Sequence, residues 1–281
     1  MKTANISLTR RNIALLTMAT VATVAALYTR PASAITPAEI KAKGKLVVGI
    51  QAANPPWGYV DATSGNADGI DADMGKAFAK ELGVPVEFVG LEVANRIPAL
   101  TSGRVDVLFA TMAMLPERAK AVQFSKPYVA NSIYLVAPKT TVVKSDADLG
   151  KLVIGVPRAS VPDTEVTSHA PAGTTIRRFD NDAATIQAML SGQVQAVGAN
   201  VFYVKRLNEA APNTYENKLE FKPLFNGACS RLEDKELNAS LNVFLDKIKA
   251  NGDLAKIHTK WMGASNTNFP ASIEGVPFVA K

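Results

Sequence analysis

The 281-residue chain contains one cysteine, Cys229, and two histidines, His169 and His258. A single thiol excludes an internal disulfide, and without a nearby histidine Cys229 reads as a buried thiol rather than a nucleophile. The two histidines lie far apart without metal-ligand spacing, so they read as surface or structural residues and no metal is expected. Nucleotide-handling signatures are missing too. Gly44-Lys45 and Gly150-Lys151 are each followed by leucine and lack the upstream glycine of a phosphate-binding loop. Neither GxGxxG nor GxSxG occurs, so no cofactor is expected.

Charge of one sign is scarcer than the total suggests. The chain has 31 lysines and arginines against 25 acids. Lys2, Arg10, Arg11 and Arg30, however, fall in an N-terminal stretch without acids, and the remaining chain carries only 27 basic residues against 25, a balance of +2. No basic tract interleaved with aromatics remains, which argues against nucleic acid as a partner. That stretch has the form of a cleavable leader: a positive start, an apolar run from Ile13 to Leu27, and Ala32-Ser33-Ala34 as the cleavage site. The run is short for a membrane span. Thr9-Arg10-Arg11-Asn12-Ile13 also resembles a twin-arginine signal. No cysteine stands at the cleavage site to carry a lipid, so residues 1–34 are expected to be a signal peptide exporting a freely diffusing periplasmic protein.

What the chain does contain is an internal echo. Gly44-Lys45-Leu46-Val47-Val48-Gly49-Ile50 returns as Gly150-Lys151-Leu152-Val153-Ile154-Gly155-Val156, which reads as two strands, each opening one lobe. Leu100 to Val107 is echoed more loosely by Leu190 to Val197, each a helix end, a glycine and a new strand. Helical spacing is visible from Asp73 to Leu82 with Asp71 or Asp73 as cap, in Arg96 to Thr101, in Asp182 to Leu190 with Asn181 or Asp182 as cap, and in Lys235 to Ala250 and Asp253 to Met262. Strands alternating with helices predict an α/β fold with mostly parallel sheets.

Functional candidates cluster where strands end. The apolar run Val105 to Ala110 reads as a buried strand, and Pro116-Glu117-Arg118 after it reads as a helix start. A cation in the first helical turn opposes the macrodipole, so Arg118 needs compensation. Either it pairs on the surface with Glu117 or a nearby acid, or it receives an anion at the carboxyl end of a strand, where open α/β sheets bind ligands. Arg96 begins another helix, and Arg158 follows the strand Leu152 to Val156. Three arginines at such positions outnumber the acids there and point to an anionic ligand. Trp57, on the stiff Asn54-Pro55-Pro56-Trp57 loop, reads as either core or an apolar wall against that ligand.

GKLVVGIQAANPPWGYVD with GIDADMGKAFAKELG, NRIPALTSGRVDVLFATMAMLPERAKAVQFSKPY, LVIGVPRAS, RFDNDAATIQAMLSGQVQAV and LNVFLDKIKANGDLAKIHTKWM together resemble the bacterial extracellular solute-binding proteins of polar amino-acid ABC importers. The resemblance implies a two-lobed type II periplasmic-binding-protein fold, with two mixed, mostly parallel sheets joined by a two-crossing hinge near Tyr128 to Ser132 and Lys222 to Asn226. Residues 35–129 would form the first lobe, 130–226 the second, and 227–281 would return to the first with the C-terminal helices. Arg118 matches the arginine that pairs with the ligand's α-carboxylate. Trp57 matches an aromatic near the ligand, Thr111 a position on the strand-to-helix loop, and Ser160 a hydroxyl of the second lobe that closes on the carboxylate. The residue before Ser160 is Ala159, where the family has glycine. Arg96 matches an arginine that reaches the side-chain carboxylate in binders of acidic amino acids.

Departures from the pattern are as informative. Ala113 stands where a ligand-binding Thr or Ser is common, and Leu115 where a capping Thr is common. Asn200 replaces the aspartate that binds the α-ammonium, and Gln51 an acid common after the first strand. Burying an ammonium without a carboxylate is costly. The expected function is a monomeric periplasmic receptor that binds a small carboxylate-bearing solute, foremost a polar amino acid, and serves an ABC permease. The alternatives are a binder of a non-amino organic acid and a dehydratase-like enzyme on the same scaffold. The latter needs a poised acid that neither Gln51 nor Asn200 supplies.

Overall fold

The computed structural model describes residues 34–280; the expected leader, apart from Ala34, lies outside them. The chain begins with helix α1 (Pro37–Lys43), whose N-cap Thr36 and Glu39 bond each other's backbone in a capping box. Strand β1 (Leu46–Gln51) follows and is buried along its whole length, as a parallel strand covered on both faces must be. A small three-stranded sheet, β2 (Ala53–Asn54), β3 (Gly58–Val60) and β4 (Ala67–Asp68), leads to helix α2 (Ile70–Leu82) and strand β5 (Val86–Leu91). Gly83 closes α2 in the left-handed region. Its N-cap, however, is Gly69 rather than an aspartate: φ is 110°, and a Cβ there would lie 2.6 Å from the Trp57 carbonyl oxygen.

Helix α3 (Arg96–Thr101) then gives way to β6 (Val107–Leu108), the single-turn helix α4 (Pro116–Ala119) and the long β7 (Gln123–Pro138). The second repeat supplies β8 (Val153–Pro157), α5 (Val161–His169), β9 (Thr175–Phe179), α6 (Asp182–Leu190), β10 (Ala196–Asn200) and α7 (Tyr203–Ala210). Strand β11 (Tyr215–Ser230) and helices α8 (Lys235–Ala250) and α9 (Asp253–Met262) complete the elements. The break between the last two falls at Asn251 and Gly252, the latter with φ of 82°.

Strand order is β5-β1-β6-β11-β7-β10-β8-β9. At one end β1 pairs in parallel with β5 and β6, and at the other β8 pairs in parallel with β9 and β10. Between them the 16-residue strands β7 and β11 run antiparallel. The two expected sheets are therefore the ends of one hydrogen-bonded sheet. The expected crossings lie inside the central pair, where Leu224 is in register with Asn131 and Phe225 with Ala130.

The core is divided in the same way. One cluster joins Ile50, Phe78, Phe109 and Tyr128 to Leu241, Phe244 and Leu245 of α8 and Leu254 of α9, at the β5-β1-β6 end. Around the β10-β8-β9 end, separate clusters gather Val136, Val197 and Tyr203, and Ile154, Val156 and Val166. No helix among the described residues is long and apolar enough to cross a membrane.

Candidate ligand cavity

The carboxyl ends of the parallel strands converge on a small cavity of about 40 Å³. Gln51 ends β1, Thr111 and Ala113 follow β6, Ser160 follows β8, Asp182 follows β9 and Asn200 ends β10. Ligands are expected at this edge of an open α/β sheet. Seven of the nine residues singled out from the sequence line it: Arg118, Arg96, Thr111, Ala113, Gln51, Ser160 and Asn200.

One wall is cationic. Arg118 makes no side-chain hydrogen bond or ion pair among the described residues, and its buried Nη1 has no partner. Burial, the largest influence, lowers its pKa. Glu117 acts on it at a distance but forms no ion pair with it, and a four-residue helix carries little macrodipole, so the guanidinium itself is the site's feature. Arg96 behaves differently. Its Nε donates to the Val93 carbonyl at 2.9 Å, and its Nη1 donates to the carbonyls of Ala110 at 2.8 Å and Thr111 at 3.1 Å. Two of these bonds hold the loop after β6, the third holds the turn that leads into α3, and Nη2 is the group left to meet a ligand. Burial first, and the charge of Arg118 second, push the Arg96 pKa down to about 9.

Thr111 lines the cavity, but its hydroxyl is turned inward and donates to Asp71 Oδ2 at 2.9 Å. Asp71 also accepts from the Tyr128 hydroxyl at 2.6 Å, and burial raises its carboxyl pKa to about 6. This buried trio holds Thr111 at φ of 52°, an uncommon conformation for a β-branched residue.

The facing wall holds an acid, Asp182, which the sequence marks only as a possible helix cap. Asn181 caps α6 by accepting from the Ala184 N–H at 2.9 Å, which releases Asp182 from that task. Asp182 is 5% exposed and lines the cavity. Its Oδ1 accepts from the Tyr203 hydroxyl at 2.8 Å, and its Oδ2 from Gln51 Nε2 at 3.3 Å. Burial raises its pKa, against the opposing effects of the Tyr203 bond and of Arg206 and Arg96. The signal was the adjacent pair of capping residues, of which only one can cap.

Gln51 and Asn200 are committed elsewhere. Asn200 Nδ2 donates to Asn54 Oδ1 at 3.3 Å, Asn54 Nδ2 donates to Gln51 Oε1 at 2.9 Å, and Gln51 completes the chain to Asp182. The Asn200 carbonyl oxygen accepts from the Phe202 N–H at 3.0 Å. These amides brace the two ends of the sheet against each other. Ser160 Oγ accepts from the Asp163 N–H at 3.1 Å as the N-cap of α5, and Ala159 takes φ of 57° where the family's glycine would be at ease.

Two candidates lie elsewhere. Trp57 does not line the cavity: it is fully buried in the core, with its ring edge-on to Phe202 at 5.2 Å between centroids. The same loop that holds it passes over Gly69, whose missing side chain admits the Trp57 backbone. Arg158 is also outside, its side chain 56% exposed and 3.8 Å from Asp180. The three expected arginines therefore become two, faced by Asp182. Ala113 and Leu115 join Ile133, Val161 and Leu224 in an apolar cluster beside the cavity, and Leu115 occupies the N-cap of α4 without a capping bond. Asn226 of β11, unremarked as a site residue in the sequence, also reaches the cavity.

The family profile described as bacterial extracellular solute-binding proteins, family 3, matches residues 46–264. The chain belongs to this family. The ABC transporter glutamine-binding protein GlnH of Bacillus subtilis is 28% identical over 80% of this chain and 84% of its own length. Among solved structures, an ancestral arginine-binding protein bound to arginine is 36% identical, with a TM-score of 0.73 over 78% of this chain and 99% of that one. The ancestral amino acid-binding protein AncCDT-1, a precursor of cyclohexadienyl dehydratase, is 31% identical with a TM-score of 0.74, over 80% of this chain and 98% of that one. The architecture is the two-lobed type II fold, and the chain is a solute-binding protein.

Proposed function

We propose that this protein is the periplasmic receptor of an ABC importer, and that it holds a small polar amino acid between lobes formed by residues 35–129 with 227–281 and by residues 130–226. The observation that carries the reading is the unpartnered Arg118 guanidinium on one wall of a cavity whose other wall bears the Asp182 carboxylate. A half-buried cation with a bare, buried Nη1 is costly, and a ligand carboxylate would satisfy it through a bidentate pair. Asp182 provides the partner for an ammonium that Gln51 and Asn200 do not. A non-amino organic acid would leave that carboxylate buried without a cation in direct contact, so the zwitterion is favoured. The names of the relatives, binders of glutamine and arginine, support the same class.

Ligand contacts from both lobes would stabilise the closed arrangement, and the permease would read it as a shift of population. Isothermal calorimetry with L-glutamine, L-arginine and L-cystine tests the proposal. Wild type should bind at least one with Kd near micromolar, about 8 kcal/mol of binding free energy, and Arg118→Ala should weaken it by roughly 100-fold or more. Near-native affinity in the variant would remove Arg118 from the site.

A dehydratase is the second reading, because Asp182 is a buried carboxyl with a raised pKa in the cavity, the kind of group such chemistry needs. We expect no turnover of a cyclohexadienyl acid by the purified protein; product formation abolished by Asp182→Asn would establish the enzyme instead.

A further inference from the structure

Asn226 carries a feature that no other cavity residue shares. Its side chain is fully buried, and both Nδ2 and Oδ1 lack a hydrogen-bond partner among the described residues. Buried amides are normally satisfied, and among the residues lining the cavity this amide alone is bare at both ends, so that a polar ligand entering there would satisfy it. The amide lines the same cavity as Arg118, whose Nη1 is likewise bare. Backbone geometry puts it there. The register between β7 and β11 shifts between Asn226 and Gly227, an irregularity of the kind that re-aims a side chain. Asn226 also bridges Ala113, the position at which the resemblance leads one to expect a ligand-binding hydroxyl and finds a methyl group.

We infer that Asn226 is a specificity-determining residue that reads the α-amino-carboxylate end of the ligand. Nδ2 donates to a carboxylate oxygen already held by Arg118, and Oδ1 accepts from the adjacent ammonium. One amide thus replaces the hydroxyl missing from Ala113 and adds an acceptor that a hydroxyl-bearing donor would not present in the same plane. A plain carboxylate would satisfy only half of it, so the residue selects for solutes that carry both groups on one carbon. This inference rests on the amino-acid reading above and names a recognition element within it.

The test replaces Asn226 by leucine, which keeps the volume and removes both polar atoms, and by aspartate, which keeps the shape but sets a second carboxylate in the cavity with Arg118. Binding of L-glutamine and of glutaramate, the same chain without the α-ammonium, is measured by calorimetry, and ligand-free melting by differential scanning fluorimetry. Wild type should prefer L-glutamine. Asn226→Leu should weaken L-glutamine by about 10- to 100-fold, narrow the preference over glutaramate, and melt higher than wild type without ligand, because a bare buried amide has been removed. Asn226→Asp should lose L-glutamine more completely, since its carboxylate occupies Arg118. Unchanged L-glutamine affinity in Asn226→Leu, or a lowered ligand-free melting point with the preference intact, would make the residue structural and overturn the inference alone. Wild-type failure to bind any of L-glutamine, L-arginine and L-cystine would overturn the reading beneath it as well.

Discussion

The two walls of the cavity are built on opposite principles. On the β5-β1-β6 side a cation is left without a partner; on the β10-β8-β9 side an acid is held from two directions. Arg118 has nothing to bond, whereas Asp182 takes a tyrosine hydroxyl on one oxygen and the Gln51 amide on the other. The difference assigns the two ends of a ligand. A carboxylate docks where the protein lacks an anion, and an ammonium approaches a carboxylate whose orientation is fixed in advance, which is how preorganisation reduces the cost of binding. Asp182 keeps lone pairs for that purpose even while accepting from Tyr203 and Gln51.

Within the cationic wall the two arginines divide the labour, and substituting them separates the roles. The largest effect on stability should come from Arg96→Leu, which leaves the carbonyls of Val93, Ala110 and Thr111 without their donor. We expect a loss of about 3 kcal/mol or more in urea unfolding of the ligand-free protein. Arg118→Ala strands no partner and should leave that unfolding midpoint unchanged or higher. Equal losses from the two substitutions would erase the distinction between a scaffold arginine and a ligand arginine.

The opposite wall offers a smaller test. Ala159 sits in the left-handed region beside Ser160, and glycine pays no steric penalty there. Ala159→Gly should stabilise the protein by about 0.5–1 kcal/mol in the same urea experiment, the steric relief being partly offset by the freer unfolded chain. A destabilisation would mean that the strain is not located at this turn.

Much of this arrangement was legible in the chain. The echo of two glycine-flanked apolar strands marks β1 and β8, and the helices Arg96–Thr101, Asp182–Leu190, Lys235–Ala250 and Asp253–Met262 end where caps and glycines end them. The long central strands were less visible because Pro127 and Pro223 interrupt them like turn residues. In the structure these prolines are accommodated opposite Gly227 and Ser132. The small β2-β3-β4 sheet is too short to leave a periodic signal.

At the site, Arg118 was recognisable because a cation at a helix start calls for an explanation. Trp57 was not separable from a ligand wall, since burial against Phe202, 145 positions along the chain, leaves no local pattern. Asp182 was masked by its neighbour: Asn181 and Asp182 both have capping chemistry, and only the folded backbone shows which one caps. Asn226 had no sequence signal, because a bare amide is defined by what surrounds it in space.

The central claim is that Asp182 receives the ligand's ammonium opposite Arg118. Its most direct test is the calorimetric affinity of Asp182→Asn for L-glutamine and for glutaramate, measured beside wild type. The account predicts that L-glutamine weakens by roughly 10- to 100-fold while glutaramate, which has no ammonium to lose a partner, binds as well as before or better. Equal weakening of both ligands, or no weakening of either, would contradict it.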